Sequence, residues 1–181
     1  MPQPPPLPQK VLARVLRVSA LDGFALVIIA GGFGIISAVS KDWLGAFVSA
    51  LATGAGVIEL LGRRKLKRED SHGAKWLVRA QLSLMSVILL YALYQFFRYD
   101  PRPTLAEAEK AFKEAQVNAG LAPVTVAQYF GITPAQLLEM ARTTARSVFA
   151  LVAIATVGFQ GGLAYYYHKK SPAISAALRK S

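Results

Sequence analysis

The chain has 181 residues, 54% of them hydrophobic and 17% charged, with a net charge of +11 and no cysteine. That balance is too apolar and charge-poor for an average soluble domain. It also excludes a disulfide framework, a thiolate metal site and a cysteine nucleophile. A charge of +11 suggests nucleic acid on a soluble protein, but anionic lipid and topogenic loops on a membrane protein.

Residues 1–18 begin with a proline-rich stretch, read as an extended polyproline tail, and then carry Lys10, Arg14 and Arg17. Residues 23–40, 43–58, 80–97 and 147–168 contain no Lys, Arg, Asp or Glu. A transmembrane helix needs about 20 mainly apolar residues. Extending the first run back to Ser19 and the second on to Gly62 meets that length. The predicted fold is an all-α membrane protein with four transmembrane helices, and a small extracytoplasmic helical cap between spans three and four. A cleaved signal peptide ending at Ser40 is the rival for the first run. An uncleaved helix is expected, because the next span starts almost at once.

Spans one and two form a predicted hairpin over 19–62. At 100° per residue, Gly23, Ala30, Gly34 and Ala38 share one face of the first helix. Gly45, Ser49, Ala52 and Gly56 do so on the second, with Phe47 and Leu51 facing away. Only Ser40, Lys41 and Asp42 separate the spans. In lipid, small residues allow the backbone contact that holds helices together, so the two stripes are expected to meet.

The stretch 63–79 is strongly basic and reads as a cytoplasmic loop. Arg63, Arg64, Lys65, Lys67 and Arg68 are its candidate lipid-headgroup residues. Glu59, four residues before Arg63, is expected to pair with it. Span three, 80–97, has no glycine and is expected to face lipid.

Residues 98–146 read as helical. Thr104 with Glu107 and Thr133 with Gln136 have capping-box spacing. Leu105, Ala108, Phe112, Ala115 and Ala119 make an apolar stripe, and a short helix is expected near 124–130. The run from Val126 to Arg142 resembles a DNA-binding helix-turn-helix, with Gly131 at the turn. Its second helix begins Pro134, Ala135, Gln136 and offers no base until Arg142, whereas such helices reach phosphates and bases from their first residues. No nucleic-acid partner is expected. A helix from Pro134 to His168 should run about 35 residues without a break and carry span four, 147–168, with Gly158 and Gly162 as a small-residue pair. The tail, 169–181, is basic.

Fourteen of the 21 basic residues fall in 1–18, 63–79 and 169–181. Cytoplasmic loops are the ones enriched in Lys and Arg, so both termini are expected in the cytoplasm of a bacterial cell whose inner membrane holds the protein.

Chemistry has little footing. Asp22 and Glu59 lie near the ends of their spans, where acids paired with bases are ordinary. Gln160 and Thr156 are deeper but neutral. His72 and His168 lack partners at metal-ligand spacing. No catalytic residue, cofactor site or metal site is assigned, and no enzymatic activity is expected. The leading reading is a non-catalytic structural, assembly or accessory subunit that packs through small-residue faces. Its partners are membrane lipids, chiefly anionic, and a membrane protein or further copies of itself. The alternative is an oligomeric small transporter or channel.

Overall fold

The structure, a computed structural model, describes residues 8–179; most of the proline-rich tail and Lys180 lie outside them. The order is α1 (Pro8–Val39), α2 (Trp43–Lys67), α3 (Gly73–Arg98), α4 (Arg102–Asn118), α5 (Val126–Tyr129), α6 (Pro134–Thr156), a π-helical turn (Val157–Gly161) and α7 (Gly162–Leu178). Four helices are long and apolar enough to cross a membrane: α1, α2, α3 and the continuous helix Pro134–Leu178. The protein is a multi-pass membrane protein. Its residues fall into two compact units, one of Met1–Tyr91 with Ile154–Ser181 and one of Ala92–Ala153.

In the first unit, α1 and α2 form a tight hairpin. Lys41 takes a left-handed φ of 60° at the turn. Asp42 caps α2, its Oδ1 accepting from the Gly45 amide at 3.0 Å. Gly23 and Gly56 bring the two backbones together. A Cβ on Gly56 would lie 2.9 Å from Leu26 Cβ and 3.1 Å from the Gly23 carbonyl. A Cβ on Gly34 would lie 3.2 Å from that of Ser49, and Ala52 and Ala55 are buried.

Helix α2 runs on to Lys67 and α3 begins at Gly73. The basic stretch 63–79 is therefore mostly helix, with a short connection at 68–72. Tight packing explains this. A Cβ on Gly73 would be 2.5 Å from the Gly62 carbonyl and 2.7 Å from Leu66 Cγ, so only glycine lets the two helix ends meet here.

Span three, expected from its sequence to be the one most open to lipid, lies on the most buried of the four spanning helices. Ala74, Leu77, Ala80, Gln81 and Leu84 of α3 are buried. The apolar window of α3 is 28% buried, against 6% for α1. Ala74, Leu77, Ala80 and Leu84 pack inward, while Leu82, Leu90 and Leu93 are exposed, and α1 is the more exposed helix.

The first and last helices also overrun their expected lengths. Helix α1 starts at Pro8, where a missing N–H costs nothing, and its first turns bury Val11 and Val15. The last helix spans 45 residues rather than about 35, and continues through Pro172. An interior proline costs a hydrogen bond. The packing of Ile174 with Val15, Leu66, Ala74, Leu77 and Tyr167 offsets that loss.

The second unit contains α4, α5 and the start of α6. Gly120 (φ 71°) and Gly131 (φ 66°) end α4 and α5 in the left-handed conformation. Thr133 and Gln136 form the expected capping box, at 2.8 and 3.2 Å. Thr104 does not cap a helix, because α4 already starts at Arg102; its hydroxyl meets Tyr99 instead, at 3.2 Å. A further capping box joins Thr125 and Gln128. Of the α4 stripe, Leu105 and Phe112 are half-buried, while Ala108, Ala115 and Ala119 are exposed.

Candidate functional site: a polar layer joining four helices

The contact of Gly23 with α2 aligns the residues beside it. Asp22 precedes Gly23, and Glu59 follows Gly56 by three positions, so both acids turn toward α3. Gln81 lies eight residues into α3, two turns beyond Gly73. Its Nε2 donates to Asp22 Oδ2 at 2.7 Å and to Glu59 Oε2 at 2.9 Å. From α7, the Tyr167 hydroxyl donates to Glu59 Oε1 at 2.9 Å. Glu59 and Tyr167 are 0% exposed and Gln81 is 1% exposed.

Each of the four helices thus contributes one polar side chain to a single hydrogen-bonded layer. Apolar packing lies on both sides of it. Val15, Leu66, Leu77 and Ile174 fill one side; Ala52, Ala55 and Leu84, flanked by Leu26, Ala30 and Ile88, fill the other. A buried polar group must be hydrogen-bonded or it costs free energy, so the layer can form only when all four helices are in register.

The expected Glu59–Arg63 pair does not form. Glu59 is turned into the bundle, where Tyr167 and Gln81 occupy both of its oxygens. Arg63 is turned the other way, and its Nε donates to the Leu16 carbonyl at 3.0 Å. Among the described residues, neither Asp22 nor Glu59 has a Lys, Arg or His within ion-pair distance.

Among the described residues, three buried side-chain polar atoms have no hydrogen-bond partner: Gln81 Oε1, Gln160 Oε1 and the Tyr166 hydroxyl. Gln160 sits in the π-helical turn and is 7% exposed. Single π turns inside α-helices recur at functional sites. This one points Phe159 and Gln160 into a groove of about 450 Å3 that Asp22 also lines.

The remaining sequence candidates divide. Gly23, Gly34, Ser49, Ala52 and Gly56 lie in the α1–α2 contact, and Ala30 packs against Ala52. Gly45 lies beside Asp42 and Ser37 at the turn. Ala38 is exposed. Gly158 and Gly162 are exposed too, and a Cβ on either would meet nothing within 4 Å. Of the headgroup candidates, Arg64, Lys67 and Arg68 are exposed. Arg63 serves Leu16. Lys65 pairs with Asp70 at 3.2 Å and lies over the Trp76 ring at 5.7 Å.

Asp70 organises the short connection. It accepts from the His72 amide at 2.9 Å, and its Oδ1 lies 3.0 Å from His72 Nδ1. The His72 amide, and then Lys65, hold its carboxyl below the usual range. Asp70, Ser71 and His72 form a turn rather than a nucleophile and base, since the Ser71 hydroxyl makes no hydrogen bond to either neighbour's side chain.

Sequence reading placed Asp22 and Glu59 at the span ends but missed Gln81 and Tyr167 as their partners. Gln81 is one glutamine at the start of an apolar run, and Tyr167 is one of three consecutive tyrosines. Only the packing singles them out. Among the described residues, no three His, Asp or Glu side chains come together as metal ligands. No protein-family model, curated protein or solved structure matches the chain.

Proposed function

We propose that the protein is a non-catalytic subunit of a bacterial inner-membrane assembly, built to pack against another membrane protein or further copies of itself. The observation that carries this reading is the open pair Gly158 and Gly162 on the fourth spanning helix. In lipid, close approach through small residues is what draws helices together. The α1–α2 hairpin uses its glycines in that way, and the pair at 158 and 162 is left for a neighbour. In this reading both termini and the 68–72 connection are cytoplasmic, and the helices between Arg102 and Tyr129 form a cap outside. The distribution of Lys and Arg supports that orientation. Arg64, Lys67 and Arg68 then face anionic headgroups, each gaining about 1 kcal/mol.

The test is the size of the native assembly in a mild detergent. Gly162→Leu should convert a larger species to the free chain without loss of helix content. An assembly unchanged in size, or a wild-type chain that is always alone, would defeat the reading.

An oligomeric transporter is the second reading. It draws on the buried Glu59 and the half-buried Asp22, two acids with no basic partner among the described residues, since acids inside membrane helices often mark substrate paths. Uptake of a cation by proteoliposomes, lost in Asp22→Asn, would favour it over the subunit.

A further inference from the structure

We propose that Asp22 and Glu59 are a proton-binding site: the two carboxyl groups hold one proton between them, and that proton is part of the layer joining the four helices. This goes beyond the subunit reading and does not depend on it.

The hydrogen bonds of the layer count the proton. Gln81 Nε2 lies 2.7 Å from Asp22 Oδ2 and 2.9 Å from Glu59 Oε2, so one amide holds the two carboxyl groups side by side. The two groups are also hydrogen-bonded to each other. An ionised carboxylate only accepts, so a bond between two of them needs a proton on one. Without it, two like charges would face each other at contact distance. Gln81 argues against a second proton. It is 1% exposed, gives its amide nitrogen to both acids, and leaves its Oε1 buried without a donor. An unserved buried carbonyl is costly. Were both acids protonated, they would have an O–H to spare, and the amide could turn over to accept it. It presents its donors instead, as suits a pair that keeps one negative charge.

No cation is at hand to do the proton's work. Among the described residues, no Lys, Arg or His pairs with either acid. On α2, Arg63 is turned to the Leu16 carbonyl. Arg17 of α1, Arg79 of α3 and His168 of α7 are exposed. The groups that do face the pair are neutral: the Gln81 amide from α3 and, from α7, the Tyr167 hydroxyl, which donates to Glu59 Oε1 at 2.9 Å. The Tyr166 ring lies 5.7 Å from that of Tyr167, and the neutral Gln160 lines the groove beside Asp22. Two uncompensated charges would be costly in this setting. One shared proton removes one of them and adds a bond between α1 and α2, beside the contact of Gly23 with Gly56. The proton belongs to the pair rather than to either acid. In the unfolded chain, free carboxyl groups are ionised at neutral pH. Folding is therefore linked to uptake of the proton.

The experiment uses the full chain in a detergent without carbonyl groups. Infrared spectra separate the C=O stretch of a protonated carboxyl group from that of a carboxylate, and so read the proton directly. At pH 7 the wild type should show one protonated carboxyl group per chain. Glu59→Gln puts an N–H where the O–H would be and should remove that band from a folded protein. Asp22→Asn changes the group that accepts the proton, and should shift the band or abolish it. Unfolding in mixed micelles is the second readout. Between pH 6 and 7 the wild-type unfolding constant should rise about tenfold more per pH unit than that of Glu59→Gln, because unfolding releases the shared proton. The histidines titrate in both proteins and cancel in the comparison. A wild type without the band would overturn the proposal. So would a band that Asp22→Asn leaves unchanged, since the proton would then lie off the pair, or equal pH slopes. Should Glu59→Gln fail to fold, the wild-type band and its response to Asp22→Asn decide.

Discussion

Gln81 and Asp22 lie 59 positions apart on α3 and α1, yet the Gln81 amide nitrogen reaches the Asp22 carboxylate at 2.7 Å. The same nitrogen serves Glu59 of α2 at 2.9 Å. One buried side chain thus ties three helices.

Gln81→Leu keeps the volume of the side chain and removes both donors. A buried and a half-buried carboxyl group then lose a partner, and leaving such an acceptor unsatisfied costs about 1–3 kcal/mol. Stability measured by unfolding in mixed micelles should fall by about 3 kcal/mol. An unchanged transition would mean that the layer does not hold the helices.

Tyr167→Phe removes a single hydroxyl from Glu59. The expected loss is about 1.5 kcal/mol or more, because the acceptor stays buried. Tyr165→Phe is the control, as Tyr165 is 63% exposed, and should leave the melting temperature alone. Equal effects of the two substitutions would contradict the assignment.

The hairpin contact makes a paired prediction. A Cβ on Gly56 meets α1 at 2.9 Å, and one on Gly54 meets nothing within 4 Å. Gly56→Leu should force α1 and α2 apart and cost about 3 kcal/mol or more, at the upper end of overpacking. Gly54→Leu should be tolerated. Thermal unfolding of both in one detergent is the check, and a Gly56→Leu variant as stable as wild type would refute the contact.

How far the sequence foretold these features depends on the physics behind each. Apolar run length locates the membrane helices because the bilayer imposes a thickness whatever the helices touch. The Gly23, Gly34, Ser49, Ala52 and Gly56 positions follow from helical period and a three-residue link, both local. Gln81 and Tyr167 could not be found that way. Their role depends on which faces of α3 and α7 turn inward, and neither helix has a polar stripe to announce it. The Glu59–Arg63 spacing misled for the same reason, because a local pair competes with tertiary partners on other helices. The π-helical turn breaks the period assumed for one continuous α-helix. The only local hint of it is Gly158 and Gly161 beside Gln160.

The Asp70 turn should respond to acid. Its carboxyl is held below the usual range by the His72 amide first and Lys65 next. A depressed acid adds stability that is fully present above its unfolded value and is lost as the pH falls through its folded value. The side-chain carbon of Asp70 should therefore titrate, by NMR, below that of aspartate in an unstructured peptide. Hydrogen exchange at the His72 amide should quicken across the same window. The turn is at the surface, so salt should weaken the Lys65 part. An Asp70 midpoint at or above the peptide value would contradict the turn.

The central claim is that Gly158 and Gly162 face a neighbouring protein in the membrane. Photoreactive amino acids placed at these positions report it directly in intact cells. The account predicts a discrete protein adduct from positions 158 and 162, and lipid adducts alone from position 47, where Phe47 is 62% exposed on α2. Lipid adducts alone from all three positions would contradict it.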